Sequence, residues 1–317
     1  MTTLTALWKE PSRMEMLCPI LGRLTRVRPT RFHSGDWQIV QCTETGFVFL
    51  ANPPAYAQLQ VEHAWEVTSA AEKQRRREAE PWLSKLSLAA ARMKLLLFPR
   101  RNRFFDLSRP LCDVLPSAQP LRVLDIGCAA ADLLHDLHGR FAAVGRRMVP
   151  LGIEVSAHLA RLAHAECAAL GGRVEFASAL EGAARFEPNS LDLVIMSSFL
   201  EHEAQPLALL KTLAPALAAH ALIVLKVPNF GCINRHLRGS RWCGFRYPDH
   251  VNYFTPQSLR RLAAEAGFMV ARQNLTDCLP TSDTMYAVLQ KDPEMVAMSD
   301  ESAVKTAGVQ QVVRRAA

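Results

Sequence analysis

Glycine is scarce in this chain: 15 of 317 residues, about 5%, against roughly 7% in ordinary proteins. A protein that grips a pyrophosphate through a Gly-rich loop is poorly served by that shortage. The eight cysteines include no Cys-x-x-Cys pair. In so long a chain they read as free thiols of a reducing compartment, and a cytoplasmic location is expected. No apolar run reaches the ~18–20 residues of a membrane span, and the opening MTTLTALWKEPSR lacks a leader's basic-then-apolar order. Neither sign of charge dominates, with 37 Lys+Arg against 30 Asp+Glu for a formal +7. The chain is 49% hydrophobic and 21% charged. That apolar mass offsets the entropy of ordering and excludes disorder throughout. The length predicts two domains, or one large domain with an appendage.

The composition divides the chain. Residues 1–61 are rich in turn formers (Gly22, Pro29, Ser34-Gly35-Asp36, Gly46, Asn52-Pro53-Pro54) around the β-like runs Trp37–Cys42 and Phe47–Leu50. They predict a small hairpin module. Residues 62–117 turn charged and helical, a predicted arm whose last helix covers Phe104–Leu115. From 118 to 291 apolar strands alternate with amphipathic helices: LRVLDIG, VPLGIEV, RVEFA, LDLVIMS and ALIVLKV, with helices near 131–144, 157–170 and 206–217. This pattern predicts a parallel sheet covered on both faces, an α/β fold. Thr255, Pro256 and Gly267 mark the N-cap, first turn and stop of another helix. MVARQNLT and TMYAVLQ follow with about eight residues between them, too few for a helical crossover, so they are expected to pair antiparallel. Residues 292–317 read as a frayed tail.

Ligands of such sheets bind beyond the carboxyl ends of strands, near the point where strand order reverses. Four segments occupy strand ends: Asp125–Asp132, Glu154, Ser197–His202 and Pro228-Asn229. Glu154, at the tip of the second strand, is placed to accept the hydroxyls of a ribose. Its distance from Gly127, 27 residues, exceeds the ~20 of the dinucleotide fingerprint. The later glycine positions of that fingerprint hold Ala129 and Ala131, which disfavours a pyrophosphate cofactor such as NAD or FAD. An adenosyl ligand without phosphates, S-adenosylmethionine, asks less of the loop.

VLDIGCAAADLL, LGIEVS, SLDLVIMSSFLEHEAQP, LIVLKVPN and DHVNYFTPQSLRRLAAEAGF occur in that order. Together they resemble the landmarks of class I S-adenosylmethionine-dependent methyltransferases, closest to the bacterial group with LEH-x-x-x-P and HVNYFTP segments. The likeness spans about Leu121–Gln290, and AWEVTSAAEKQRRREAEPW resembles the helical arm of such proteins. It implies a Rossmann-like sheet of seven strands with one antiparallel, and S-adenosylmethionine as cofactor. Carried over, Asp125 and Gly127 shape the pocket for the methionine end, Glu154 binds ribose, and Ser197 lines the sulfonium side. The family pattern G-C-G-x-G departs here at Ala129. Where an adenine-contacting Asp is common stand Ala179-Leu180, with Glu181 one residue late.

Methyl transfer needs positioning and, for a protonated acceptor, a base. His202 is the candidate base or acceptor contact, with helix capping as its alternative. His250 is a second candidate, with loop bracing as its alternative. Glu201 reads as a solvated or helix-start acid. Cys18-Pro-Ile-Leu-Gly22 and Cys42-Thr-Glu-Thr-Gly46 resemble the two knuckles of a zinc ribbon. Leu21 and Thr45 stand at the partner positions, which leaves two thiols where tetrahedral zinc needs four ligands, so no metal is expected. The basic clusters Arg75–Arg77 and Arg100–Arg103 suit a solvated helix face or transient contact with a membrane surface. Nucleic acid is not an expected partner. The sequence thus predicts methyl transfer to a small-molecule, glycan-precursor or lipid-linked acceptor. The alternative is a methyltransferase fold kept as a binding or scaffolding module, to which Ala129, Ala179-Leu180 and the lost ribbon cysteines point.

Overall fold

The computed structural model describes residues 14–54 and 102–293. The predicted arm between 62 and 101, with the basic clusters up to Arg101, and the tail beyond 293 lie outside the described residues. Two knuckle turns organise the N-terminal strands β1 (Glu15–Cys18), β2 (Arg23–Ser34), β3 (Trp37–Cys42) and β4 (Val48–Leu50). At the first, the amides of Leu21 and Gly22 both donate to the Cys18 carbonyl, at 3.1 and 2.8 Å. At the second, Gly46 donates to the Cys42 carbonyl at 2.9 Å. Gly22 and Gly46 close these turns at φ +66° and +70°, a region open to glycine at little cost. The Cys18 and Cys42 side chains are fully buried in the main core. They act there as small apolar groups.

That N-terminal sheet gains a fifth strand from far along the chain. β10 (Asn252–Tyr253) pairs antiparallel with β4, Asn252 opposite Phe49 and Tyr253 opposite Val48. The central sheet runs β11-β12-β9-β8-β5-β6-β7. Its strands are β5 (Leu121–Ile126), β6 (Met148–Glu154), β7 (Arg173–Phe176), β8 (Leu191–Ser197), β9 (Leu217–Pro228), β11 (Phe268–Arg272) and β12 (Thr284–Lys291). β12 alone runs against its neighbours, antiparallel to both β9 and β11, as the short MVARQNLT–TMYAVLQ connection requires. β5 and β8 are buried almost throughout because helices cover both faces.

Proline corrects two expected helices. Phe104–Leu115 is two short helices, α1 (Arg103–Ser108) and α2 (Leu111–Val114). Pro110 between them has no N–H to continue the ladder. Asn102 caps α1, its side-chain oxygen accepting from the amides of Phe104 and Phe105. Four further helices frame the sheet: α3 (Asp132–Ala143), α4 (Ala157–Ala169), α5 (Ala179–Ala183) and α6 (Pro206–Leu213). The last was expected to reach residue 217 but yields to a single 3₁₀ turn at Ala214–Ala216, where Pro215 sits. Beyond α7 (Ile233–Arg238), α8 (Pro256–Glu265) starts at the Thr255 cap and ends before Gly267 at φ +81°. No helix among the described residues is long and apolar enough to cross a membrane.

Three apolar cores hold these layers. The largest joins Cys18, Ile20, Phe47 and Phe49 to β5, β6, β8, β9, α6 and α8. Phe47 meets Phe254 at 5.2 Å between ring centroids. A second core lies under α3 and α4. The third packs Phe32, Ile39, Val48 and Leu50 against Phe230, Trp242, Phe245, Val251 and Tyr253. The N-terminal sheet is thus the buttress of the 230–253 segment, which carries His250.

Candidate active site

Strand order reverses between β5 and β8, and both strands end there in backbone that few side chains tolerate. Gly127 follows β5 at φ +73°, and a Cβ on it would stand 2.7 Å from Cδ2 of Phe199. Both the turn and the Phe199 ring therefore demand glycine. Ala129 and Ala131 also adopt positive φ, +49° and +70°. L-alanine is strained in this region. The loop keeps a glycine-type path with alanines in it, so the substitution falls on the costly side. After β8, Ser198 is at φ +56°, its amide donating to the Lys226 carbonyl at 2.8 Å.

Glu154, at the tip of β6, is 7% exposed. Its Oε2 accepts from the Ala129 amide at 2.9 Å and its Oε1 from the Ser156 amide at 2.8 Å. The carboxylate thus ties the β5 loop to the start of α4, whose cap is Ser156. Asp125 is 3% exposed, and its Oδ1 has no hydrogen-bond partner among the described residues. Burial, and then the charge of Glu154, push the Asp125 carboxyl up to about 8. Asp125, Gly127, Ala129 and Glu154 thus lie together. Ser197 ends the adjacent β8, two residues beyond Ile195, which pairs with Asp125. Glu181, one residue beyond the position where an adenine-contacting acid is common, is engaged in a helix cap. It folds back to accept from the amide and hydroxyl of Ser178 and so caps α5.

The second half of the site lies past β8. His202 and His250, 48 positions apart, meet edge to face with ring centroids 4.7 Å apart. His202 does not cap α6, whose N-cap is Gln205. Its Nδ1 instead donates to the Asp249 carbonyl at 2.8 Å, and the Nδ1 of His250 donates to the Gly244 carbonyl at 2.8 Å. Burial, with help from the Arg246 charge, brings His202 down to about 4. Glu201 is not the solvated acid expected. It is 1% exposed, its Oε2 has no hydrogen-bond partner among the described residues, and burial drives its carboxyl up to about 8. Its backbone carbonyl accepts from the amides of Val251 and Asn252, at 2.8 and 3.0 Å. Asn252 returns its own Nδ2 to the carbonyls of Leu200 and Glu203. The contacts of Phe199 and Asn252 and the burial of Glu201 are not legible in the sequence, because nothing local signals that residues 199–203 and 244–252 are neighbours.

No curated protein matches this chain in sequence. Among solved structures it is similar in fold to S-adenosylmethionine-dependent methyltransferases from three organisms. The one from Mesorhizobium loti is 17% identical, covering 58% of this chain and 96% of that one, with a TM-score of 0.42. The one from Clostridium acetobutylicum is 10% identical, covering 65% and 98%, with a TM-score of 0.45. The one from Archaeoglobus fulgidus is 18% identical, covering 61% and 96%, with a TM-score of 0.41. A family model described as a methyltransferase domain matches residues 72–273, more than half of the chain. The chain belongs to that methyltransferase-domain family.

Proposed function

We propose that this chain transfers a methyl group from S-adenosylmethionine to a small-molecule, glycan-precursor or lipid-linked acceptor. One observation carries the reading: the Gly127 turn, the orphaned carboxylate oxygen of Asp125 and the clamped Glu154 converge where strand order reverses. These residues fit the cofactor. A buried acceptor without a donor, as at Asp125, suits the cationic methionine end. Glu154, whose carboxylate is fixed by the Ala129 and Ser156 amides, stands at the tip of β6, where a carboxylate accepts ribose hydroxyls. When bound, S-adenosylmethionine supplies an electrophilic methyl group on a sulfonium, and the protein's part is to orient and desolvate. Ser197 lines the sulfonium side. With Nδ1 committed to Asp249, His202 offers Nε2 to an acceptor's hydrogen, which orients the nucleophile. His250 stands beside it, and the N-terminal sheet braces the segment that carries it. Eight unbridged cysteines favour a reducing compartment.

Isothermal titration with S-adenosylmethionine and with its demethylated product tests the reading. Binding of both, weakened at least tenfold by Glu154→Ala, is expected; no binding of either overturns it. A scaffolding role is the second reading, favoured by the positive φ at Ala129 and Ala131. It predicts that same absence of binding in a protein that folds normally.

A further inference from the structure

Three lone-pair donors meet where the end of β8 faces the segment before β10. Each imidazole gives its Nδ1 to a backbone carbonyl, Asp249 for His202 and Gly244 for His250, both at 2.8 Å. A carbonyl only accepts, so each Nδ1 carries the proton and each Nε2 carries the lone pair. The third member is the Glu201 carboxyl, buried, with Oε2 lacking any hydrogen-bond donor among the described residues. One ligand atom from each residue lies within 4.8 Å of the other two. A buried carboxylate oxygen without a donor, as at Glu201 Oε2 among the described residues, is costly unless a cation or a proton reaches it. Lys226 and Arg246 act on the Glu201 carboxyl through their charge, and the Arg246 guanidinium also donates to Asp249 Oδ2 at 3.1 Å.

We propose that Glu201, His202 and His250 form a site for one divalent transition-metal ion of the zinc, cobalt or iron(II) type. Two imidazoles and one carboxylate suit these borderline ions, whereas calcium and magnesium prefer oxygen ligands alone. The outer contacts are already built: a ligating histidine characteristically donates its other ring N–H to a carbonyl or carboxylate, which fixes tautomer and ring orientation. Bonds of about 2.0–2.2 Å at tetrahedral angles place ligand atoms roughly 3.4 Å apart, so the trio, with ligand atoms within 4.8 Å of one another, has to draw in to hold an ion. Three protein ligands leave a fourth position open, the pattern of catalytic rather than structural sites. The sequence predicts no metal because the zinc-like spacing lies in the ribbon, where two ligands are missing. This site is elsewhere, assembled from two distant segments. It goes beyond the cofactor reading and does not depend on it; an ion bound there takes the Nε2 lone pair of His202 in place of the acceptor's hydrogen.

The test uses the full chain, stripped with a chelator and titrated with zinc chloride by calorimetry and with cobalt(II) chloride by visible absorption. One ion per chain is expected, with cobalt bands free of thiolate charge transfer and unchanged in Cys18→Ser and Cys42→Ser. Glu201→Gln, which keeps the side-chain shape, and His202→Ala should each weaken zinc binding roughly 10–100-fold or more while S-adenosylmethionine titrations are run in parallel. His250→Ala is a poorer probe because it also removes the brace to Gly244. Absence of stoichiometric binding by the wild-type chain overturns the proposal and leaves a proton on Glu201 as the shared charge. A thiolate band, or zinc affinity unmoved in whichever variant keeps the wild-type circular dichroism, overturns it equally.

Discussion

Restoring glycine to the β5 loop changes stability in a way that depends on position. An L-residue in the left-handed region is strained by roughly 1–2 kcal/mol. Replacing alanine by glycine relieves this strain but costs about 0.4–1 kcal/mol through the greater freedom of the unfolded chain. The methyl group adds a further term of about 0.8 kcal/mol when it is fully buried. Ala131 is 1% exposed and packs in the core under α3, so for Ala131→Gly the three terms cancel to about zero. Ala129 is only half-buried at φ +49°, so Ala129→Gly should stabilise by about 0.5 kcal/mol. Gly127→Ala runs the other way. It adds the strain of φ +73° and a methyl 2.7 Å from the Phe199 ring, and should destabilise by about 1–2 kcal/mol after the unfolded-state gain. Urea midpoints of the three variants at constant m-value give the comparison. A stabilising Gly127→Ala, or Ala131→Gly stabilising more than Ala129→Gly, would show that backbone strain does not govern this loop.

Other expectations follow from the same contacts. Asp192 is fully buried and accepts from the amide, Nε and Nη2 of Arg122 and from His220 Nε2. Asp192→Ala should cost about 3 kcal/mol by stranding that guanidinium, a little less than a fully buried pair because Arg122 is partly exposed. Burial alone would raise the Asp192 carboxyl, but the Arg122 and His220 bonds hold it below its ordinary value. Its stability contribution is therefore present above the unfolded value near 3.9 and lost as pH falls through the lower folded value. An acid titration of the wild type that matches Asp192→Asn would contradict this. Asp125 has the opposite sign: raised to about 8, it favours the folded state fully below pH ~3.9 and loses that contribution as pH rises through about 8. Without cofactor, Asp125→Asn should flatten the decline in urea midpoint between pH 5 and 9, and an unchanged slope refutes the assignment. Phe47→Ala should cost about 3–5 kcal/mol, because Phe47 is buried against Phe254 in the shared core. Thermal unfolding followed by tryptophan fluorescence and by circular dichroism should still coincide, and separate transitions would show the N-terminal sheet to be independent.

The metal proposal and the acceptor reading place the same histidines under different tests. Calorimetry with zinc tests the proposed site of Glu201, His202 and His250, whereas S-adenosylmethionine titration tests the roles proposed for Asp125, Gly127 and Glu154. A chain that binds one ligand and not the other therefore separates the two halves of the site.

The sequence alone determined whatever depends on near neighbours along the chain. Unbroken apolar runs such as LDLVIM define buried strands, because a parallel strand covered on both faces has no polar side. Thr255, Pro256 and Gly267 bound a helix through capping and backbone freedom that act within one turn. Gly127 and Glu154 are legible as candidates because in such sheets topology places binding sites at strand ends. Tertiary structure decided the rest. The positive φ of Ala129 and Ala131 follows from the path the loop must take between β5 and α3, and the residue types alone leave that path undetermined. Glu201 reads as a surface acid until the 244–252 segment folds over it. His202 and His250 become neighbours only when β10 closes the N-terminal sheet, and that pairing is a two-residue strand too short to leave a periodic signal. Long-range pairing of this kind is set by which buried faces remain to be covered, a property of the whole fold.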